Sequence, residues 1–292
     1  VVVVSGVSGV EVGTEKAWEV CDRLHLPRLI FVGQMDKEHA NFERVFADVK
    51  AHLSPKVLPV EVPIGEGSTF RGIVNLFSGK SHIYKPGTKS GEYDEVEVPA
   101  EHQAEVKKYS DLLIETVAAT DDALIERYLG GEEIPREEVI AALKAAVVAG
   151  SIVPLFVGSA TLTFGMRALL TKMVEIFPAA ADVPPPVASP LLGRVFKTTS
   201  EPHVGDVTLF RLYAGTLKNG ADVWNAEHEV AEKLNHLSIQ QGKERIEVER
   251  LSAGDIGSVA KLRDTHTGDT FCLRERPVRL PPLPLPESVA TS

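Results

Sequence analysis

The chain has 292 residues, 43% hydrophobic and 25% charged, with a net charge of −10. That length suits two domains of ordinary size, and the composition supplies a proper core. The acidic balance excludes a protein whose whole surface binds nucleic acid and leaves room only for a local basic patch. Cys21 and Cys272 lie far apart in sequence. They give no disulfide framework and suit a reducing cytosol, so a cytoplasmic location is expected. The opening run Val1–Val4 lacks a basic flank and is far too short for a signal or membrane segment. No membrane partner is expected. The run reads instead as a β-branched strand from the middle of a sheet, so the chain is expected to begin inside a domain, as a piece of a longer protein.

In chain order, "VVVVSG" is a strand, followed by a helical run over Val12–Leu24. Its apolar residues Val12, Ala17, Trp18, Val20, Cys21 and Leu24 fit a 3.6-residue period better than alternation. Pro27 separates this helix from a strand over Arg28–Val32, and a second amphipathic helix spans about Asn41–Leu53, ending before Pro55. Strands alternating with helices of this length predict a parallel sheet. From about 57 to 150 the pattern changes to a small α+β insert. Short strands are predicted in "VLPVEVPI", "FRGIVNLF", "HIYK" and "EVEVP", then helices over about Glu101–Ala119, Asp121–Leu129 and Arg136–Ala149. Thr120-Asp121-Asp122 supplies a cap for the second helix and Pro135 suits the first turn of the third. "IVPLFVG" (152–158) returns to the parallel sheet and leads through "SATLTFG" to a helix over about Met166–Phe177.

The α/β part is assigned to residues 1–178. A proline-rich linker follows at 179–190, then an all-β barrel at 191–286 and a tail at 287–292. Short alternating strands such as "GDVTLFRLYAG", "ADVWNA" and "IGSVAKL" carry the barrel signature.

Several stretches imitate chemistry without supporting it. "SGKS" (78–81) ends like a phosphate-binding loop GxxxxGK[ST], but the first glycine of that pattern would stand at Val74, and "HIYK" after it is a strand. A hairpin turn is the better reading. "GEGSTF" (65–70) fails as a dinucleotide fingerprint at Phe70, and "VGSA" (157–160) lacks the final glycine of a nucleophile elbow. The nine histidines are scattered, with none at metal-ligand spacing, so no metal site is predicted.

Two loops remain, each after a predicted parallel strand: Gly33-Gln34-Met35-Asp36 and Gly158-Ser159-Ala160-Thr161. Ligands in open α/β sheets bind beyond the carboxyl ends of the strands. A carboxylate at Asp36 therefore reads either as a ligand-binding group or as the N-cap of the helix beginning near Ala40.

A strand ending in an Asn-Lys-x-Asp loop, with a later strand ending in Ser-Ala, is the guanine-recognition pair of GTP-binding domains, and these two loops resemble it. "SGVSGVEVGTEKAW", "MDKEHANFERV", "VPIGEGSTFRGIVNLFSGKSHIY" and "ERYLGGEEI" resemble the G domain and inserted subdomain of elongation factor G and its paralogues. "VFKTTSEPHVGDVTLFRLYAGTLKNGADVWN" and "LSAGDIGSVAKLRDTHTGDTF" resemble the β-barrel second domain of translational GTPases. The resemblance spans about residues 1–286.

It implies a partial P-loop GTPase-type G domain with an α+β insert, followed by the barrel. It also implies GTP or GDP with Mg²⁺ as cofactor, and the ribosome as partner through small-subunit RNA. Asp36 takes the place of the carboxylate that accepts from guanine N1 and N2. Ser159, Ala160 and Thr161 match the loop whose backbone meets O6. The family's asparagine is Gly33 here and its lysine is Gln34, so two of three side-chain contacts are altered. In the barrel, Arg194, Lys197, Arg211 and Lys218 match strands and turns that could contact phosphates.

No phosphate loop or catalytic residue falls within these residues, so the chain by itself is expected not to hydrolyse GTP. The alternatives are a non-enzymatic ribosome-binding module with a degenerate nucleotide site, and a truncated product with no independent role.

Overall fold

The computed structural model describes residues 1–180, 183–201, 204–242 and 244–283. It divides into two compact units, Val1–Phe177 and Pro178–Ser292. The predicted tail at 287–292 lies outside the described residues, as does part of the linker.

The first unit holds a four-stranded parallel sheet made of β1 (Val2–Ser5), β2 (Ile30–Gly33), β8 (Val153–Val157) and β3 (Val57–Pro59), in that spatial order. Val4 pairs with Val32 and Val32 with Val157, which brings the carboxyl ends of β1, β2 and β8 to one edge. Every residue of β2 and β8 is buried, which is why both read as unbroken apolar runs rather than as alternation.

Helices α1 (Val12–Arg23), α2 (Phe42–His52) and α6 (Met166–Ile176) connect and cover these strands. In α1 only Thr14 and Trp18 are buried, while Val12, Val20 and Leu24 are exposed. The predicted helix forms, but only part of its predicted apolar face is covered.

The insert starts later than its sequence suggests. Val57–Pro59 pairs in parallel with β8, and the antiparallel sheet begins at β4 (Glu61–Ile64), followed in order by β5 (Gly72–Asn75), β6 (Lys80–Tyr84) and β7 (Tyr93–Glu97). One apolar stretch thus supplies strands to two sheets. "SGKS" lies at the β5–β6 hairpin, where Asn75 pairs with Lys80 and Gly79 has a left-handed φ of 63°.

Helices α3 (Gln103–Ala118), α4 (Asp122–Leu129) and α5 (Arg136–Val148) complete the insert. Asp121 caps α4, its Oδ1 accepting from the amides of Ala123 (2.9 Å) and Leu124 (3.0 Å). Phe42 and Phe46 of α2 meet Tyr109 of α3 edge-on at 5.8 and 6.0 Å between centroids. The insert and the parallel sheet share one hydrophobic core.

Among its described residues, the strands of the second unit pair antiparallel throughout. Its eight-stranded sheet runs in the order β13 (Val230–Leu234), β12 (Ala221–Asn225), β18 (Thr270–Cys272), β9 (Leu192–Glu201), β10 (Gly205–Ala214), β17 (Ile256–Ala260), β14 (Ser238–Gln241) and β15 (Glu244–Glu247). A separate pair joins β11 (Thr216–Lys218) to β16 (Arg250–Ser252). The sheet encloses a core that includes Val195, Phe210, Leu212, Leu234, Val259 and Phe271. Among the described residues no helix is long and apolar enough to cross a membrane.

Candidate functional site

A cleft of about 540 Å³ opens at the carboxyl edge of the parallel sheet, lined in part by Ser5, Ser8, Gly33, Gln34, Asp36, Ala160 and Thr161. Its shape follows from backbone hydrogen bonds that join four segments. Gly6 N donates to Gly33 O (2.8 Å), Met35 N to Gly158 O (3.2 Å), and Gly67 N to Met35 O (2.8 Å). Met35 is fully buried beneath them. The two segments singled out in the sequence thus lie side by side.

Gly158 is required by close packing. A Cβ there would collide with the Phe164 carbonyl oxygen and would stand 2.9 Å from the Phe31 ring. Ser159 is fully buried. Its Oγ accepts from Leu162 N (3.2 Å) and its amide donates to Phe164 O (2.9 Å). It therefore shapes the turn that presents Ala160 and Thr161, and its side chain does not line the cleft.

Asp36 is not the helix cap. That position belongs to Asn41, whose Oδ1 accepts from Arg44 N (2.8 Å), while Glu66 Oε1 takes Phe42 N (2.6 Å). The Asp36 side chain is 12% exposed and stands 3.5 Å from Lys37 Nζ through Oδ2. Oδ1 is buried with no hydrogen-bond partner among the described residues. A buried carboxylate oxygen left unpaired costs free energy unless a donor reaches it.

Gln34 takes a left-handed backbone conformation (φ 62°), and its Oε1 accepts from Ser5 Oγ (2.7 Å). The same Ser5 oxygen accepts from Val7 N (3.2 Å) and Ser8 N (3.0 Å). Gly33 has no such constraint, since a Cβ there would meet only the Phe31 ring at 3.4 Å or more. Its lack of a side chain is a feature of the sequence that the backbone does not demand. Ser5, Ser8 and Glu11 also line the cleft and were not singled out in the sequence, although Ser5 ends the first strand and the Ser/Gly-rich turn after it lies at the same sheet edge.

The sequence profile of the elongation factor Tu GTP-binding domain matches residues 1–179, and that of elongation factor G domain 2 matches residues 190–274. The chain belongs to the elongation-factor-G-like translational GTPases. A crystal structure of a protein from Thermus thermophilus aligns over 95% of this chain at 34% identity with a TM-score of 0.81. This chain spans 42% of that protein's length.

The four cations singled out in the domain 2 region fall into two groups. Lys197, Arg211 and Lys218 are exposed, Arg211 with its guanidinium carbon 5.3 Å from the centre of the Tyr213 ring. Lys218 stands opposite Arg250 across the β11–β16 pair. Arg194 differs. It is only 5% exposed, its Nη2 donates to Pro281 O (2.7 Å), and Nε and Nη1 are buried without partners among the described residues. In β9 it lies next to the core residue Val195 and opposite the exposed Arg211, on the outer face of the sheet, where the segment at Pro281 covers it and keeps it from a phosphate backbone.

Proposed function

We propose that residues 33–36 and 158–161 form the guanine end of a nucleotide site, in a translational GTPase that binds GTP with Mg²⁺ and acts on the ribosome in the cytoplasm during protein synthesis. The supporting observation is that Asp36 lines a cleft together with Ala160 and Thr161, with one carboxylate oxygen lacking a hydrogen-bond partner among the described residues. In this reading the Asp36 carboxylate accepts from guanine N1 and N2. The Ala160 and Thr161 backbone faces O6, and Ser159 holds their turn. Adenine offers the carboxylate no such pair of donors and leaves it unpaired, which is the basis of selectivity.

Residues 1–178 supply part of the G domain, with its insert between about 61 and 150. Residues 179–190 join it to the β domain at 191–286. Lys197, Arg211 and Lys218 are the candidates for contact with small-subunit RNA. The 292 residues contain no phosphate-loop pattern. The base site they carry holds a nucleotide weakly, and they do not turn over GTP by themselves, because phosphoryl transfer depends on phosphate and Mg²⁺ positioning.

One observation favours a second reading, a ribosome-binding module with a degenerate nucleotide site. Gly33 offers no side-chain amide, and the Gln34 amide oxygen is already taken by Ser5. Competition of GDP and ADP for the chain separates the two. A guanine preference lost in Asp36→Ala supports the base site, and equal, Asp36-independent binding of both nucleotides supports the module.

A further inference from the structure

In the second unit, far in sequence from the base loops, three ligand-bearing side chains converge: His228, His266 and Asp269. His228 Nε2 lies 3.3 Å from Asp269 Oδ2 and 3.3 Å from His266 Nδ1, and His266 Nδ1 lies 4.0 Å from Asp269 Oδ2. We infer that these three side chains form a binding site for a late first-row divalent cation such as Zn²⁺, with water completing the coordination.

A tetrahedral ion with bonds of about 2.0–2.1 Å places its ligand atoms about 3.3 Å apart. Two of the three separations already have that value. The third, at 4.0 Å, has to be closed by movement of the exposed His266 side chain. Two imidazoles with one carboxylate suit zinc, nickel, copper or cobalt. They do not suit Ca²⁺ or Mg²⁺, which take six or more oxygen ligands or keep most of their waters.

The site is held by its surroundings. Asp269 is 5% exposed, and its Oδ2 accepts from Asn225 Nδ2 (2.8 Å) and from His266 N (2.7 Å). Asn225 is fully buried, and its Oδ1 accepts from Glu227 N (3.1 Å) and His228 N (3.2 Å). One asparagine therefore fixes both the turn carrying His228 and the carboxylate opposite it. These hydrogen bonds hold the Asp269 carboxylate and the His228 turn in place, as partners of metal ligands do, and the ion shares Oδ2 with two of them. Both imidazoles are exposed, so an ion has a direct path from solvent.

The test uses the full chain without an affinity tag, stripped of metal and titrated with Zn²⁺ by calorimetry at about pH 7.5, where free imidazole is mostly neutral. Co²⁺ absorption reports the ligand geometry in parallel. The expected result is one saturable site per chain with a tetrahedral Co²⁺ spectrum. Affinity falls about tenfold or more in His228→Gln and in His266→Gln, as for loss of an ordering contact or more. Because both histidines are exposed, these variants leave the core intact, and circular dichroism confirms their fold. Absence of a saturable site overturns the inference, as does undiminished binding by the double variant, which would place the ion on other histidines.

Discussion

Glu61, the first residue of β4, is 2% exposed, and its Oε2 has no partner among the described residues. Burial raises its pKa from 4.5 to about 8, against the opposing pull of the Lys172 charge and the Val157 amide. Glu61 is therefore protonated in the folded state over a range where the unfolded chain has it ionised. A carboxyl with a raised folded pKa contributes its full stability below pH 4.5 and loses it as pH climbs through about 8. Each pH unit in that window costs about 1.4 kcal/mol, on the order of 5 kcal/mol over the whole range. Glu61→Gln keeps the shape and cannot ionise. Its stability relative to the parent should rise by about 3–4 kcal/mol between about pH 5 and pH 8. The chain has two tryptophans, Trp18 in the first unit and Trp224 in the second. Urea unfolding in a Trp224→Phe background, followed by Trp18 fluorescence, reads the relevant unit alone. Parallel pH profiles for parent and Gln variant would refute the reasoning, because they would mean Glu61 titrates alike in both states.

Gly158→Ala should destabilise the first unit by about 1–3 kcal/mol in urea unfolding, since its Cβ meets a backbone carbonyl and the Phe31 ring. Gly33→Ala, with ordinary contact to Phe31 only, should stay within about 0.5 kcal/mol of the parent. The double substitution Gly33→Asn with Gln34→Lys adds a side-chain amide and a cationic stem beside Asp36. It should raise guanine-nucleotide affinity about tenfold in a fluorescence titration, the worth of one net hydrogen bond or so. No gain would show that the loop geometry cannot use those side chains.

The parallel strands were legible because complete burial writes a continuous apolar run, as in Ile30–Val32 and Val153–Val157. The α4 cap was legible because Asp121 acts locally, through amides two and three residues on. What escaped the sequence depends on distant partners. "VLPVEVPI" is one apolar stretch, and only its pairing shows that Val57–Pro59 joins β8 while Glu61–Ile64 joins β5. Arg194 reads as a surface cation until the segment at Pro281, 87 residues later, is seen to cover it. The role of Asp36 as ligand group or cap could not be decided locally, since Asn41 five residues later takes the cap. The histidine cluster was invisible, because His228 and His266 are 38 residues apart and are brought together by strand pairing and by Asn225.

The most direct test of the base site follows the backbone amides of Gly33–Asp36 and Gly158–Thr161 by NMR while GDP or ADP is added to the full chain. The guanine reading predicts shifts in both loops with GDP and not ADP. It also predicts their loss in Asp36→Ala, where two charge-assisted bonds of about 1.5–3 kcal/mol each disappear. Identical responses to the two nucleotides, or GDP shifts that persist in Asp36→Ala, would contradict it.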